Sequence, residues 1–420
     1  MYLKILSINK FYYLRGGSET YFFSLNSMLA EKGHEIIPFS MKDSRNVSTP
    51  YEEYFIDNIN YNKADFLKNL RNAFSAIYSF NAKTKIKRLL NDTKPDLAHF
   101  HLFQHQLSPS ILKAVHDFGL PIVNTVHDLK PLCPNYKMLN KGAICEKCKR
   151  HKYFHCVSNK CIKGSFSGSM TACLEAYLNW IIGSYKNIDA FIAPSNFLRN
   201  KFIEYGYSPE KLFYIPNYVK SELFEPCYSS GNYFIFFGRL IEEKGIETLI
   251  KAMRQVKGTD LYIIGDGPLK DSLNTLINNY GLTNVKIIGH QTGRALKDLI
   301  ENCKFSIMPS EWYENSPFAV LESMACGKPV IASDIGGLPE IVDNNRTGLL
   351  FSPCNHDELA EKINSLIDDS HRLISMGKEG REDVNRKFNE KLHYEKINQL
   401  YEKLLKNNSI ILSERRKLRL

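Results

Sequence analysis

The sequence predicts an α/β protein with two doubly wound, Rossmann-like domains that face a central cleft. In both halves, short apolar segments alternate with helical stretches of roughly 10–15 residues, which is typical of parallel sheets. The length of 420 residues suits two domains of ordinary size. A hydrophobic content of 43% and a charged content of 24% indicate a globular chain and exclude a disordered one.

The first half opens with an apolar strand, a glycine-rich turn and a helix that ends at a glycine. Residues 45–94 are polar and aromatic, and only one basic helix is predicted among them. Two later strands are led by proline and end in histidine. The predicted elements are, in order, strand Leu3–Ile8, turn Arg15–Thr20, helix Tyr21–Lys32, strand Glu35–Phe39, a helix near Lys83–Leu90, and strands Pro95–His101, Pro121–Asp128 and Ile188–Ala193.

The second half shows the same alternation more regularly, after a predicted linker at 216–217 and 225–231. Its elements are strand Tyr233–Phe237, helix Ile246–Gln255, strand Leu261–Ile264, a helix after Pro268, strands Val285–Ile288 and Phe305–Met308, a helix carrying Glu322, strand Val330–Ala332 and helix His356–Ile367. We predict a first domain at 1–218 with a cysteine-rich insertion near 133–161. A second domain follows at 219–387, and a helix at 388–420 with a basic tail packs back on the first.

Charge is distributed unevenly along the chain. Residues 1–220 hold 29 Lys and Arg against 17 Asp and Glu, a balance of +12, and the rest hold 26 against 28, a balance of −2. A basic first half favours an anionic lipid-linked substrate or an acidic membrane face, although a soluble protein of basic pI explains it equally well. The start lacks a signal-peptide cleavage site, so we expect a cytoplasmic protein with reduced cysteines, with peripheral contact to the membrane face as a further expectation.

Two carboxylates are the most informative pair of residues. Glu314 lies in a predicted loop after a strand, and Glu322 lies about two turns along the following helix, roughly 11 Å of rise away. A ligand at that helix N-terminus could contact backbone N–H groups and both acids. The spacing therefore suits a long polar ligand with hydroxyls at both ends, such as a nucleotide-sugar.

Two cations and a pair of glycines also follow strands. Arg239 and Lys244 come after a strand and a glycine, where fixed positive charge would stabilise a departing diphosphate. Gly16 and Gly17 follow the first strand, where the backbone could approach a phosphate or an acceptor closely, although a plain turn explains them too. His127 ends a first-half strand and is predicted to hydrogen-bond the donor sugar or the acceptor.

The second half resembles the retaining glycosyltransferases of family 4, whose two-domain fold is called GT-B. The ordered motifs that carry the resemblance are Pro194-Ser195, Ile215–Tyr218, Phe237–Gly245, Ile264–Pro268, Ile288–His290, Met308–Ser310, the two spaced glutamates, Gly327–Glu340 and Gly348–Phe351. The resemblance is dense over residues 190–370 and thinner over 1–40 and 121–128.

The resemblance implies an enzyme that moves a sugar from a UDP- or GDP-sugar to a hydroxyl acceptor, with retention and without a metal cofactor for catalysis. It implies that Glu322 binds the ribose, that Glu314 faces the sugar, and that Arg239 and Lys244 hold the diphosphate. Asn315 and Ser316 would line the same loop, and the nucleobase would lie against the backbone at His290. The acceptor would be a cell-surface polysaccharide or a lipid-linked glycan precursor.

A cysteine-rich segment departs from the family pattern. Cys145, Cys148, Cys156 and Cys161 are four thiols within 17 residues, with Cys133 nearby, which suits a tetrahedral structural zinc site. Free thiols in an ordinary loop, or a disulfide, are the alternatives.

The same basic segment also supports a different class of function, a nucleic-acid-binding protein. That interpretation leaves the paired glutamates unexplained, and no nucleic-acid partner is expected. A GT-B epimerase or phosphorylase is a third reading.

Overall fold

The computed structural model describes residues 2–58, 79–104, 107–229 and 231–417. Within them the chain forms two six-stranded parallel sheets, which confirms the predicted α/β fold class. Part of the unassigned stretch 45–94, residues 59–78, lies outside the described residues, as does the last part of the basic tail at 418–420.

The first sheet has the strand order β2-β1-β3-β4-β7-β8, all parallel. Its central strands β3, β4 and β7 are buried at every residue, as expected for a parallel sheet covered by helices on both faces. The strands are β1 Lys4–Ile8, β2 Glu35–Phe39, β3 Leu97–Phe100, β4 Ile122–Thr125, β7 Ala190–Ala193 and β8 Leu212–Tyr214, and a hairpin inserted before β7 contains β5 Leu139–Asn140 and β6 Ala143–Ile144.

Helices of the first half connect these strands and cover the sheet. They are α1 Gly17–Glu31, α2 Phe80–Thr93, α3 Ser110–Phe118, α4 Phe154–Ser158, α5 Phe166–Ile182 and α6 Asn196–Glu204. Helix α1 begins four residues earlier than predicted. Gly16 is its N-cap in extended backbone, and its carbonyl accepts the N–H groups of Glu19 and Thr20 at 3.1 and 3.0 Å, which starts the helix at the glycine pair.

The second sheet has the order β11-β10-β9-β12-β13-β14, again all parallel. Counted from its own first strand this is the order 3-2-1-4-5-6 of the Rossmann fold. Its strands are β9 Tyr233–Phe237, β10 Asp260–Ile264, β11 Val285–Gly289, β12 Ser306–Met308, β13 Val330–Ser333 and β14 Gly348–Phe351. Its helices are α7 Ile246–Ala252, α8 Lys270–Asn279, α9 Gly293–Glu301, α10 Phe318–Ala325, α11 His356–Ile367 and α12 Ser370–Lys387.

The last helix, α13 Glu390–Lys417, returns to the first half of the chain. Its Ile397 and Tyr401 share a buried apolar cluster with Ile5 of β1 and Tyr21 of α1. The Tyr401 hydroxyl also lies 2.6 Å from Nδ1 of His99. These contacts support the proposed division of the chain, in which the segment from 388 packs on the first domain.

In the part of the chain that the structure describes, none of the helices combines the length and the apolar character that crossing a bilayer requires.

Candidate active site at the carboxyl ends of two parallel sheets

Each sheet contains one point where the direction of strand succession reverses. In the second sheet that point lies between β9 and β12, and in the first sheet between β1 and β3. Loops leaving the carboxyl ends of two such strands diverge to opposite faces and leave a crevice that binds ligands. Arg239 and Lys244 follow β9, Glu314 follows β12, and Gly16 and Gly17 follow β1. The sheet topology therefore places these predicted site residues at the two crevices.

Glu314 is the most firmly held acid of the site. Its Oε1 accepts hydrogen bonds from Lys244 Nζ at 2.5 Å, Ser310 Oγ at 2.8 Å and Trp312 Nε1 at 2.8 Å. The residue is buried, with 6% of its surface exposed. All three bonds reach the same oxygen, so the carboxylate is fixed in orientation and Oε2 receives none of them.

The protonation state of Glu314 follows from two opposing effects. Burial raises the pKa of Glu314, but the charge and hydrogen bond of Lys244, with those of Trp312 and Ser310, outweigh burial and bring the pKa below its ordinary value. Glu314 is therefore a carboxylate at neutral pH and does not carry a proton to donate. Lys244 was predicted to bind the diphosphate. In the structure its ammonium group forms an ion pair with the buried Glu314 carboxylate.

Two adjacent glycines, Gly336 and Gly337, pack closely against the backbone of the Glu314 loop. A Cβ at Gly336, where φ is +64°, would lie 2.3 Å from the carbonyl oxygen of Glu314, and one at Gly337 would lie 1.9 Å from that of Asn315. The Gly337 N–H donates to the Glu314 carbonyl at 2.7 Å. This close backbone approach explains why two adjacent glycines are needed there. The sequence motif contained both glycines, but it gave no sign of what they contact.

Glu322 lies on α10 and has a different environment. Burial raises the pKa of Glu322 to about 7, while the distant charge of Lys297 lowers it only slightly. Glu322 is thus near its titration point at neutral pH, in contrast to Glu314. Glu322 is half-buried and has no ion pair among the described residues, which favours a ligand that donates hydrogen bonds to it.

Arg239 and His290 are exposed at the carboxyl ends of β9 and β11. Arg239 forms no ion pair with any residue that the structure describes. Because Lys244 is neutralised by Glu314, Arg239 is the cation of the predicted pair whose charge stays available to an anionic ligand. His290 directly follows β11, the edge strand that pairs with β10.

His127 follows β4 and contacts another histidine. Its Nε2 lies 3.1 Å from Nδ1 of His101, and the two rings stack with centroids 5.3 Å apart. Burial lowers the pKa of His127 to about 3, so the ring is neutral at physiological pH. Asp128 does not orient the ring; its Oδ1 accepts the N–H of Lys130 at 2.9 Å and caps the following turn.

The two halves of the chain meet directly around these residues. Asn315 Nδ2 donates to the carbonyl of His127 at 3.1 Å, and a Cβ at Gly17 would lie 3.8 Å from the ring of Phe318. The N-termini of α1 and α10 thus face each other across the cleft. Among the described residues, the buried Ser316 Oγ and Asn315 Oδ1 have no hydrogen-bond partner, which marks them as atoms for a ligand to satisfy.

The cysteine-rich segment lies against the Glu314 loop. Glu146, between Cys145 and Cys148, accepts hydrogen bonds from the Tyr313 hydroxyl at 2.7 Å and from Lys201 Nζ at 2.8 Å. Tyr313 immediately precedes Glu314. Sequence reasoning missed this contact, because nothing local connects an acid in one loop with a tyrosine 167 residues later.

The predicted zinc site is not assembled. Across the described ranges, no group of three or more His, Cys, Asp or Glu side chains converges as metal ligands would. The thiols of Cys133 and Cys148 interact, which lowers the pKa of Cys133, and the interaction of Cys156 with Cys161 lowers the pKa of Cys161. The interaction with Cys133 and the charges of Cys133, Cys156 and Cys161 all raise the pKa of Cys148, so these four thiols lie near one another. The backbone N–H of Cys145 donates to the carbonyl of Met138 at 2.8 Å, beside the β5–β6 hairpin.

This correction predicts unequal effects of cysteine replacement. Cys148 is buried in a small cluster with Tyr153 and Cys173, whereas Cys145 is half-buried. We expect Cys148→Ser to lower the free energy of unfolding by about 1–2 kcal/mol and Cys145→Ser to leave it within about 0.5 kcal/mol. Thermal denaturation of both variants tests this. A zinc site held by both residues would instead make the two losses equal, with loss of bound metal in each.

Comparisons with known proteins agree with this geometry. The profile of Glycosyltransferase Family 4 matches residues 15–223, and that of Glycosyl transferases group 1 matches residues 225–383. An uncharacterized glycosyltransferase of Methanocaldococcus jannaschii is 30% identical over 224 residues, which is 52% of this chain. The match spans 60% of that relative's own length.

Solved structures share the architecture at low sequence identity. Sucrose-phosphate synthase of Thermosynechococcus elongatus superposes with a TM-score of 0.74 at 21% identity and covers 96% of this chain and 100% of its own. The Anabaena protein HepE in complex with UDP-glucose superposes with a TM-score of 0.65 at 18% identity and covers 98% of this chain and 100% of its own. From its two matched profiles and its two facing sheets, the chain belongs to the glycosyltransferases of family 4 and has their GT-B fold.

Proposed function

We propose that the protein is a retaining glycosyltransferase that moves a sugar from a UDP- or GDP-sugar to a hydroxyl of a glycan or a lipid-linked glycan precursor. The observation that carries the proposal is the oriented Glu314 carboxylate, fixed by Lys244 at the switch point of the second sheet, with Glu322 on the adjoining helix α10. The UDP-glucose bound to the structurally similar HepE supports a nucleotide-sugar donor.

The donor is proposed to lie along the carboxyl edge of the second sheet. Its nucleobase lies against the backbone at His290, its ribose diol donates to Glu322, and its diphosphate meets Arg239 and the N–H groups at the start of α10. Its sugar reaches Oε2 of Glu314. The sugar hydroxyls donate to this carboxylate, which positions the ring and accepts no proton from the acceptor.

Departure of the nucleoside diphosphate builds negative charge on the leaving oxygens. Arg239 and the N-terminus of α10 are the fixed positive groups that stabilise this charge, while the Lys244–Glu314 pair contributes no net charge. In a retaining reaction on one face of the sugar, the leaving phosphate oxygen takes the acceptor proton. This assignment gives neither glutamate a role in proton transfer, consistent with the ionised state of Glu314.

The acceptor is proposed to enter from the first domain. The neutral imidazole of His127 is proposed to face the cleft. The 3.1 Å contact of its Nε2 with Nδ1 of His101 holds the ring in place. A neutral imidazole can donate a hydrogen bond to a sugar hydroxyl or accept one from it. Gly16 and Gly17 leave room for the acceptor or donor phosphate at the N-terminus of α1. We place the enzyme in the cytoplasm, where nucleotide-sugars are made.

A thermal-shift panel of UDP-, GDP- and ADP-sugars tests the donor assignment. At a ligand concentration of about 100 times Kd, binding adds about 2.7 kcal/mol to the free energy of unfolding. One nucleotide class should raise the melting temperature by several degrees, and mixing that donor with glycan acceptors should release the nucleoside diphosphate. The free sugar and the free nucleoside serve as controls. Equal, small shifts with every nucleotide-sugar would contradict the proposal.

A further inference from the structure

Helix α5 (Phe166–Ile182) buries small and polar side chains and exposes large apolar ones. Its buried residues are small or polar, namely Ser169, Ala172, Cys173, Glu175 and Asn179. Its exposed residues include large apolar side chains. In a helix that only covers a domain core the apolar side faces inward, whereas this helix has an outward apolar face that the other described residues leave exposed.

The exposed apolar residues of α5 form a continuous stripe. Phe166, Leu174 and Ile181 are 58%, 53% and 73% exposed, and Met170 is exposed between the first two. The spacings of four, four and seven residues bring all of them to one face of a helix, over roughly 22 Å of its length. Trp180 and Ile182 are exposed on either side of Ile181 and widen the apolar surface at its end. Solvent-exposed stripes of this size mark interaction surfaces.

A basic segment borders this apolar stripe. Residues 147–163 contain six Lys and Arg and no Asp or Glu. Helix α4 lies within that segment and packs on α5, and its Phe154 is 53% exposed. Lys152, Lys160 and Lys163 are exposed, and in the described part of the chain none of them forms an ion pair. Apolar area and unpaired positive charge therefore occupy one side of the first domain.

We propose that the α5 stripe and its basic border dock the protein on an anionic lipid bilayer. A helix with an apolar face inserts at the level of the lipid headgroups, and each nearby Lys or Arg adds attraction to anionic lipids. Tryptophan prefers this same interfacial region. A second copy of the chain fits poorly, because a two-fold contact through the stripe would bring the two basic borders face to face.

The docking surface is connected to the acceptor side of the cleft. On the opposite face of α5, Glu175 accepts a hydrogen bond from Lys130 Nζ at 2.8 Å, and this pair is almost fully buried. The Lys130 N–H in turn donates to Asp128, next to His127. A docked α5 thus places this side of the cleft near the membrane. The docking itself does not depend on the proposed transfer reaction.

Vesicle sedimentation with the full-length chain tests the docking. Wild-type protein should bind vesicles of phosphatidylglycerol and phosphatidylcholine, and should bind pure phosphatidylcholine at least about tenfold more weakly. The variant Leu174→Ser/Ile181→Ser should lose about tenfold or more in partition to the anionic vesicles. The variant Lys152→Glu/Lys160→Glu/Lys163→Glu should lose binding to the anionic vesicles and the salt dependence of that binding.

Two control variants lie in the second half of the chain and should bind like wild type. They are Leu223→Ser, at a leucine that is 59% exposed, and Lys257→Glu, at an exposed lysine.

Intrinsic fluorescence gives a second measurement. The chain has two tryptophans, Trp180 beside the stripe and Trp312 in the Glu314 loop. Anionic vesicles should shift the emission to shorter wavelength in wild type and not in Trp180→Phe. Equal binding by wild type and the α5 double variant would overturn the proposal. So would a dimer in solution that the double variant dissociates, with no vesicle binding. Neither experiment uses a donor or an acceptor, so failure of the proposed transfer activity leaves both outcomes unchanged.

Discussion

Replacing Lys244 by alanine is expected to reduce sugar transfer by about a thousandfold or more and to lower the free energy of unfolding by about 3–5 kcal/mol. The reason is that Glu314 is 6% exposed and Lys244 is the cation that compensates its charge. Without that partner, burial raises the pKa of Glu314, and the acid either stays charged at high cost or takes up a proton. Steady-state kinetics and urea denaturation measure the two effects.

A second substitution separates catalysis from stability. In Lys244→Ala/Glu314→Gln the unpaired buried charge is gone, so most of the lost stability should return while transfer stays abolished. Lys251→Ala is the matched control, because Lys251 is a half-buried lysine on the adjacent helix α7 that has no ion pair among the described residues. Normal turnover in Lys244→Ala would contradict the assigned site. If the double variant is as unstable as Lys244→Ala, the result would contradict the ion pair between Lys244 and Glu314.

Glu322 is expected to give the second large effect, on donor binding. Glu322→Gln should weaken donor affinity by about 10–100-fold, since a charge-assisted hydrogen bond to a diol contributes about 1.5–3 kcal/mol. The ionised acid accepts both ribose hydroxyls in charge-assisted hydrogen bonds, whereas the protonated acid is a weaker acceptor and carries a donor hydrogen of its own. With a pKa of about 7 in the donor-free protein, affinity should fall as pH drops from 8 to 6. The Glu322→Gln variant should lack this pH dependence, and titration calorimetry at several pH values measures both.

Stability of the donor-free protein should change with pH in the opposite direction. The folded-state pKa of Glu322 is raised above its ordinary 4.5, so the folded chain binds more protons than the unfolded chain between these two values. The contribution of Glu322 therefore favours folding at pH 5 and is lost as pH rises to about 7, by up to about 3 kcal/mol. Glu322→Gln should remove that component of the pH profile, and a profile identical to wild type would contradict the raised pKa of this half-buried acid.

Much of the fold could be predicted from the sequence because its signals are local. Apolar runs such as 233–237 and 261–264 are strands at nearly those bounds in the structure, since burial on both faces of a parallel sheet leaves a continuous apolar run. Short edge strands were missed. Leu212–Tyr214 has three residues, too few to show any periodicity, and its hydrogen bonds come from β7.

The candidate site could be predicted only in part. The sequence placed Glu314 in a loop and Glu322 on a helix, as observed. It did not predict that Lys244 pairs with Glu314, 70 residues away, nor that His127 contacts His101. The zinc prediction also depends on tertiary contacts, and no converging group of metal ligands is found among the described residues. The spacing along the chain suggested Cys145 as a partner of the other three, whereas in the folded loop Cys133 is the first-named interaction partner of Cys148.

The sequence by itself determined the two parallel α/β sheets, the family, and the local setting of each glutamate, because backbone hydrogen bonding and side-chain periodicity act over a few residues. Only the tertiary structure decided which charges neutralise each other, which thiols meet, and that the apolar face of α5 points outward. Those outcomes depend on the order of strands in each sheet and on how the two halves meet. Residues distant in the chain become neighbours there, and no local pattern encodes that arrangement.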